Sequence, residues 1–202
     1  MNTWAINRRR ALMRWFMVVV VVVLGVFSGE AKAQGTPEAD VKQDAEHLLA
    51  FDLEIDPLAY ALGGHSLHAG IWWGRVRVDL GAFALDVPEA LHGNEGFSTS
   101  FAGYGTKVDR FWGDDRDGLL TGVELGVSRV LIMRGREASR HTQVGVSGRI
   151  GYRWMIAGGF YAQPWVGVGY TFNAKDVELE GERYENTSLL VFPTVHLGYM
   201  ID

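Results

Sequence analysis

From about Leu49 to the end of the chain, apolar residues alternate with glycine, serine or charged residues, and no stretch sustains the i, i+3, i+4 spacing of an amphipathic helix. A period of two is the period of a strand, whose successive side chains point to opposite faces. Gln143 to Trp154 is the clearest case. Val144, Val146, Gly148, Ile150, Tyr152 and Trp154 form one face, and Gln143, Gly145, Ser147, Arg149, Gly151 and Arg153 the other. Two arginines on one side and only apolar or small residues on the other exclude a strand with both faces in a dry core. Phe160 to Phe172 repeats the arrangement, with Ala162, Pro164, Val166 and Val168 opposed to Tyr161, Gln163, Trp165 and Gly167.

This pattern predicts eight strands, at about 50–60, 66–73, 76–85, 97–111, 119–132, 141–154, 160–172 and 188–201. The dipeptide Gly74-Arg75 suits a two-residue type II′ turn. Pairing across it sets Trp73 beside Val76 and Ile71 beside Val78 on one face, with Trp72 beside Arg77 and Gly70 beside Asp79 on the other. For the preceding hairpin, a loop at 61–65 predicts Ile55 beside Ile71, Pro57 beside Ala69, and Leu58 beside His68 facing inward. Connections then alternate. Gly74-Arg75, 112–118 and 155–159 are turns at one end, whereas 86–96, 133–140 and the acidic 173–187 segment are loops at the other. Short turns beside the termini and longer loops opposite are the layout of outer-membrane barrels.

The N-terminal region differs from all of this. Arg8, Arg9, Arg10 and Arg14 precede an apolar run from Trp15 to Phe27, and Ala31-Lys32-Ala33 follows. The run is shorter than the about 20 residues of a spanning helix, but it has the length and flanks of a secretory signal with an Ala-x-Ala cleavage site. The expected organisation is a signal peptide over 1–33, a polar periplasmic lead-in over 34–48 and a barrel over 49–202.

Of the 19 basic and 24 acidic residues, five basic and one acidic fall within the signal segment, leaving a formal charge of −9. That balance argues against nucleic acid as a partner, since phosphate binding needs clustered positive charge. The chain has no cysteine, which excludes disulfides, thiolate metal sites and cysteine nucleophiles.

A soluble barrel keeps apolar residues inside. Here the uniform apolar face is rich in aromatic residues near strand ends (Trp73, Tyr152, Trp154, Phe160, Phe172, Tyr199). The other face collects charges of both signs: Glu54, Asp56, Arg75, Arg77, Asp79, Lys107, Asp109, Glu124, Arg149 and Arg153. A closed sheet pairs every backbone group without an edge, as lipid requires, so the mixed charges are placed in the lumen and the apolar face toward lipid. Many of the 26 glycines fall on the lumen face, as expected of an eight-stranded barrel whose interior is only wide enough for its own side chains.

With its signal segment, two-residue alternation and a last strand presenting Val191, Pro193, Val195, Leu197, Tyr199 and Ile201 outward, the chain resembles the small OmpA/OmpX-type barrel proteins. That pattern ends in a terminal aromatic residue, whereas this chain ends Tyr199-Met200-Ile201-Asp202. The resemblance implies an all-β, eight-stranded, antiparallel, up-and-down transmembrane barrel in the bacterial outer membrane. The implied partners are outer-membrane lipid, lipopolysaccharide and the export and barrel-assembly machinery.

Three constellations have chemical potential. Ser66 and His68 share a face near acidic residues, a nucleophile and base at strand spacing. They resemble the pair of outer-membrane lipid A deacylases, but those enzymes present Ser and His to lipid, whereas this register turns both inward. His196, on the last strand, comes near His68 when the barrel closes. No His-x-His or His-x-x-x-His spacing accompanies them, and neither a metal nor a cofactor is expected. Asp114-Asp115-Arg116-Asp117-Gly118 has the acidic density of a calcium loop but lacks its alternate ligands and distal glutamate, and reads as a solvated turn. The expected role is therefore structural, in envelope integrity, or surface interaction through the loops, with a salt-bridged lumen. A deacylase-like enzyme and a narrow channel are the alternatives.

Overall fold

A computed structural model describes residues 49–113 and 116–201. The expected signal peptide, the lead-in, and Asp114, Asp115 and Asp202 lie outside the described residues. Among the described residues, ten strands and two short helices follow in order: β1 (Ala50–Ile55), α1 (Pro57–Ala61), β2 (His65–Trp73), β3 (Val76–Val87), α2 (Glu89–His92), β4 (Ser98–Phe111), β5 (Gly118–Arg134), β6 (Glu137–Ala157), β7 (Phe160–Thr171), β8 (Val177–Leu179), β9 (Glu182–Tyr184) and β10 (Leu189–Ile201). Eight of the strands close an antiparallel barrel in the order β1-β10-β7-β6-β5-β4-β3-β2, and β8 and β9 form a separate hairpin.

The alternation read from sequence fixes the faces. Along β2, Ser66, His68, Gly70 and Trp72 are buried while Leu67, Ala69, Ile71 and Trp73 are exposed. Along β6, Arg149 and Arg153 point inward and Ile150, Tyr152 and Trp154 outward. The β2–β3 register is the one expected from Gly74-Arg75, running from Trp73↔Val76 to His65↔Ala84, and Gly74 takes the positive φ of 56° that such a turn demands. The outer wall carries exposed Leu, Val, Ile and aromatic side chains. Two of the expected girdle residues, Phe160 and Tyr199, meet edge to face with ring centroids 4.8 Å apart.

Three sequence expectations are corrected. The first strand stops at Ile55 rather than near residue 60, because Asp56 and Pro57 start a helix. The Asp56 carboxylate accepts a hydrogen bond from Leu58 N–H at 2.8 Å, and Pro57, which has no N–H to lose, takes the first helical turn. β1 therefore pairs Phe51 with Ile71 and Leu53 with Ala69, and Leu58 is exposed on the helix instead of facing inward. The 133–140 segment is not a loop: β5 and β6 pair as far as Arg134↔Glu137 around Gly135, whose φ is 52°. The 173–187 segment contains the β8–β9 hairpin.

Two apolar clusters bound the interior. At the end holding the strand termini and short turns, Ala50, Trp72, Phe111, Leu120 and Met200 pack together. At the loop end, Leu179 and Tyr184 of the hairpin pack on Phe97, Val130 and Ile132.

Candidate functional site in the barrel lumen

Lumen-facing positions of neighbouring strands lie side by side, so charges four or five strands apart in the sequence converge across a narrow interior. Arg77 on β3 is central. Its Nε donates to Asp52 Oδ2 at 2.8 Å and its Nη2 to Asp52 Oδ1 at 2.5 Å, a two-pronged contact that matches guanidinium to carboxylate geometry. Nη2 also lies 2.9 Å from Asp79 Oδ2 and 3.3 Å from Glu54 Oε2. Trp72 Nε1 donates to the same Asp52 at 2.5 Å.

Glu54 accepts from three further groups. Tyr161 Oη donates at 2.9 Å, Arg153 Nη2 at 3.0 Å and His196 Nδ1 at 2.8 Å. Arg153 is held in turn by Gln163 Oε1 at 2.7 Å, and its guanidinium carbon stacks 3.8 Å from the centre of the Tyr161 ring and 4.7 Å from that of Trp72. Arg149 donates from Nε to Asp109 Oδ1 at 2.7 Å and from Nη2 to Oδ2 at 2.5 Å, and lies over the Trp165 ring at 4.7 Å.

Asp52, Glu54, Asp79 and Asp109 thus oppose Arg77, Lys107, Arg149 and Arg153, all of them buried. The set is electrically neutral. A buried charge survives removal from water only if it is paired; each carboxylate here has more than one cationic or hydrogen-bonding neighbour, although Nη1 of Arg77, Arg149 and Arg153 and Oδ2 of Asp79 are buried without a hydrogen bond.

The remaining expected lumen residues are placed as follows. Lys107 Nζ lies 2.9 Å from His68 Nδ1 and 3.2 Å from Asp79 Oδ1. Glu124 faces inward opposite Lys107 in the β4–β5 ladder and is half-buried. Asp56 is buried but serves as the helix cap. Arg75 is not a lumen residue: it sits exposed in the β2–β3 turn. Position 75 falls on the inward side by strand parity, but the turn ends the alternation there. Asp52, Trp72, Tyr161 and Gln163 are part of the network and were not among the expected residues. Asp52 was accessible from sequence, since stepping back two residues from Glu54 keeps to the same face.

Ser66 and His68 are both buried in the lumen. His68 Nδ1 lies 3.1 Å from Asp79 Oδ1 and 2.9 Å from Lys107 Nζ, so the ring nitrogen that a serine-activating histidine gives wholly to its carboxylate is shared here with a lysine. His68 and His196 do come together, with ring centroids 5.0 Å apart. Among the described residues no group of His, Asp and Glu has the arrangement of a metal site.

Outside the barrel wall, His92 on α2 accepts at Nδ1 from Asn94 N–H at 3.1 Å, and its ring is 5.5 Å from that of Tyr184. Burial holds its pKa below the ordinary value of 6.5.

Among solved structures, the chain is similar to a major outer membrane protein from Thermus thermophilus, with a TM-score of 0.50 and 10% identity over 77% of this chain and 100% of that one. It is also similar to Neisserial surface protein A, with a TM-score of 0.49 and 11% identity over 76% of this chain and 94% of that one. No protein-family model matches the chain, and no curated protein does. At these identities the likeness is one of fold: this chain has the small eight-stranded barrel architecture of outer-membrane proteins.

Proposed function

We propose that this chain is inserted in the bacterial outer membrane as a small non-catalytic barrel that supports envelope integrity or presents its loops at the cell surface. The observation that carries the reading is the pairing of an exposed apolar outer wall with a buried lumen network in which four carboxylates face four basic side chains. Hydrocarbon tolerates the first, and the second removes the need for water inside. Loops and turns then mark the outer and periplasmic sides, respectively. In this setting the lumen network acts as a plug, and the Trp72–Phe111–Leu120 cluster closes the end nearer the termini. Outer-membrane lipid, lipopolysaccharide and the export and assembly machinery are the proposed partners.

The test has two parts. The folded protein is expected in the outer-membrane fraction with heat-modifiable migration on gels, and recovery from the soluble periplasm overturns the reading. In planar bilayers the barrel is expected to pass no steady current. Stable single-channel steps would favour the channel instead.

A further inference from the structure

The apolar band of the outer wall ends abruptly on β5 and β6. On β5, Leu119, Val123, Leu125 and Val127 are exposed, and the next outward residue is Arg129. Leu119 to Val127 spans the about 9–11 residues that a tilted strand needs to cross hydrocarbon, so Arg129 stands where headgroups begin.

Arg140 lies beside it. The β5–β6 ladder pairs Arg129 with Thr142 and Leu131 with Arg140, so the two arginines occupy diagonal positions on one face, with Cα atoms about 7–8 Å apart. Both are exposed, and among the described residues neither has an ion-pair or hydrogen-bond partner. The lumen arginines, in contrast, each meet a carboxylate.

A depression of about 420 Å³ opens beside the pair, and both arginines line it. Its floor is low because the row across the wall from His65 to Arg129 passes through Ala84 and Ala102, whose side chains are single methyl groups. One step toward the termini the row runs through Tyr104 and Val127, and Tyr104 stands 75% exposed. One step toward the loops, Ser100 lies between Asp86 and Leu131. Asp86 is the acidic residue of the lining, and its carboxylate is turned to the end away from the arginines: a Cβ added at Gly63 would lie 2.9 Å from its Oδ2. The arginine end is left with positive charge and a hydroxyl.

Each guanidinium presents a planar fork that matches two oxygens of a phosphate. A phosphomonoester has three terminal acceptor oxygens and close to two negative charges, enough to engage both forks. The phosphodiester of a phospholipid has only two free oxygens and a single charge. A free anion would use the arginines but leave the apolar wall at Tyr104 and Val127 uncovered, whereas an anion carrying hydrocarbon covers both.

We propose that this depression binds the phosphorylated headgroup of an outer-leaflet glycolipid, with Arg129 and Arg140 clasping one phosphomonoester, a sugar over Ala84 and Ala102, and an acyl chain descending beside Tyr104. The proposal rests on the membrane reading above, which puts the loop end of the wall in the outer leaflet.

The test offers the full chain, extracted in mild detergent, purified bis-phosphorylated lipid A, the same lipid A stripped of its phosphates, or phosphatidylglycerol, with retained lipid read by native mass spectrometry. Retention of one lipid A per barrel is expected, and the dephosphorylated lipid and phosphatidylglycerol are each held about tenfold more weakly. Arg129→Gln and Arg140→Gln are each expected to weaken lipid A retention by about fivefold, and together by about twentyfold. Arg136→Gln at the β5–β6 turn makes the same charge change outside the depression and leaves retention unchanged. If the double variant does not fold, as judged by heat-modifiable migration, the single variants carry the comparison. Equal retention by the Arg136 variant and the depression variants, indifference to phosphate removal, or equal retention of phosphatidylglycerol overturns the proposal. A chain absent from the outer membrane sinks the membrane reading, whereas an inserted chain that retains no lipid A sinks only this proposal.

Discussion

The two halves of the lumen are filled by different means. Toward the termini the wall strands fill it themselves: Asp52, Glu54, Trp72, Arg77, Arg153 and Tyr161 interlock so closely that a Cβ added at Gly70 would lie 2.4 Å from Arg77 Nε, and one at Gly198 2.2 Å from Tyr161 Cζ. Toward the loops the wall's inward residues first shrink to glycine and serine, at Gly126, Ser128 and Gly145, before Phe97, Val130 and Ile132 close in beneath the loops. Gly126 and Gly145 are half-buried although they face inward, and a Cβ there would approach nothing closer than 3.7 and 3.4 Å. That end is covered instead by the β8–β9 hairpin, fastened by Glu180 to Arg136 N–H at 3.0 Å and by Asn94 to Glu185 N–H at 2.8 Å. Strand side chains are positioned by the barrel itself, so they support a precise polar network. The hairpin lies outside the wall's hydrogen-bonded ring and buries apolar rings, which are less demanding of geometry than charged pairs.

Removal of Arg77 is the severest challenge to the filled half. Arg77→Ala leaves Asp52, Glu54 and Asp79 buried with a missing partner, and is expected to cost roughly 3–5 kcal/mol. Denaturant unfolding in detergent, followed by the loss of heat-modifiable migration, measures this; an unchanged midpoint would show that the network does not hold the barrel.

The next effect separates packed from slack positions. Gly70→Ala is expected to destabilise the barrel by about 1–3 kcal/mol through overpacking, whereas Gly145→Ala stays within about 0.5 kcal/mol of the parent. Equal effects in the same unfolding assay would erase the difference between the halves.

At the loop end the effect is local. Tyr184→Ala removes a ring 5.4 Å from Phe97 and 5.5 Å from His92, and is expected to weaken hairpin docking by about 2 kcal/mol. Hydrogen exchange at residues 177–184 should accelerate while the unfolding midpoint of the barrel holds.

The smallest effect is that of pH. The His92 pKa is lower in the docked state than its ordinary value of 6.5, so the undocked state binds more protons in that interval, and docking is stable above it and weakens as pH falls through it. Protonation at Nδ1 also removes the acceptor for Asn94 N–H. Hydrogen exchange of the hairpin should therefore rise between about pH 7.5 and 5.5 in the parent and not in His92→Gln.

Much of the site was legible because strand geometry is simple. The inward placement of Arg77, Asp79, Lys107, Asp109, Arg149 and Arg153 follows from parity and a single turn, and closure of the first and last strands places His196 beside His68. The Asp56-Pro57 cap is a helix start signal that a strand reading passed over. It shifted the first hairpin by four residues without exchanging its faces, because the slip was even. The continuation of β5 and β6 through 133–140 was hidden by the charged residues that flank Gly135, which read equally as loop.

The sequence alone determined the strand period, the identity of the two faces and the mixture of charges on the inner one, because those properties depend only on residue spacing along an extended chain. Which carboxylate meets which guanidinium and how the hairpin covers the loop end were decided by closure of the barrel. Closure sets the register of every strand against its neighbours at once, and distances across the interior follow from that joint solution, not from any one segment.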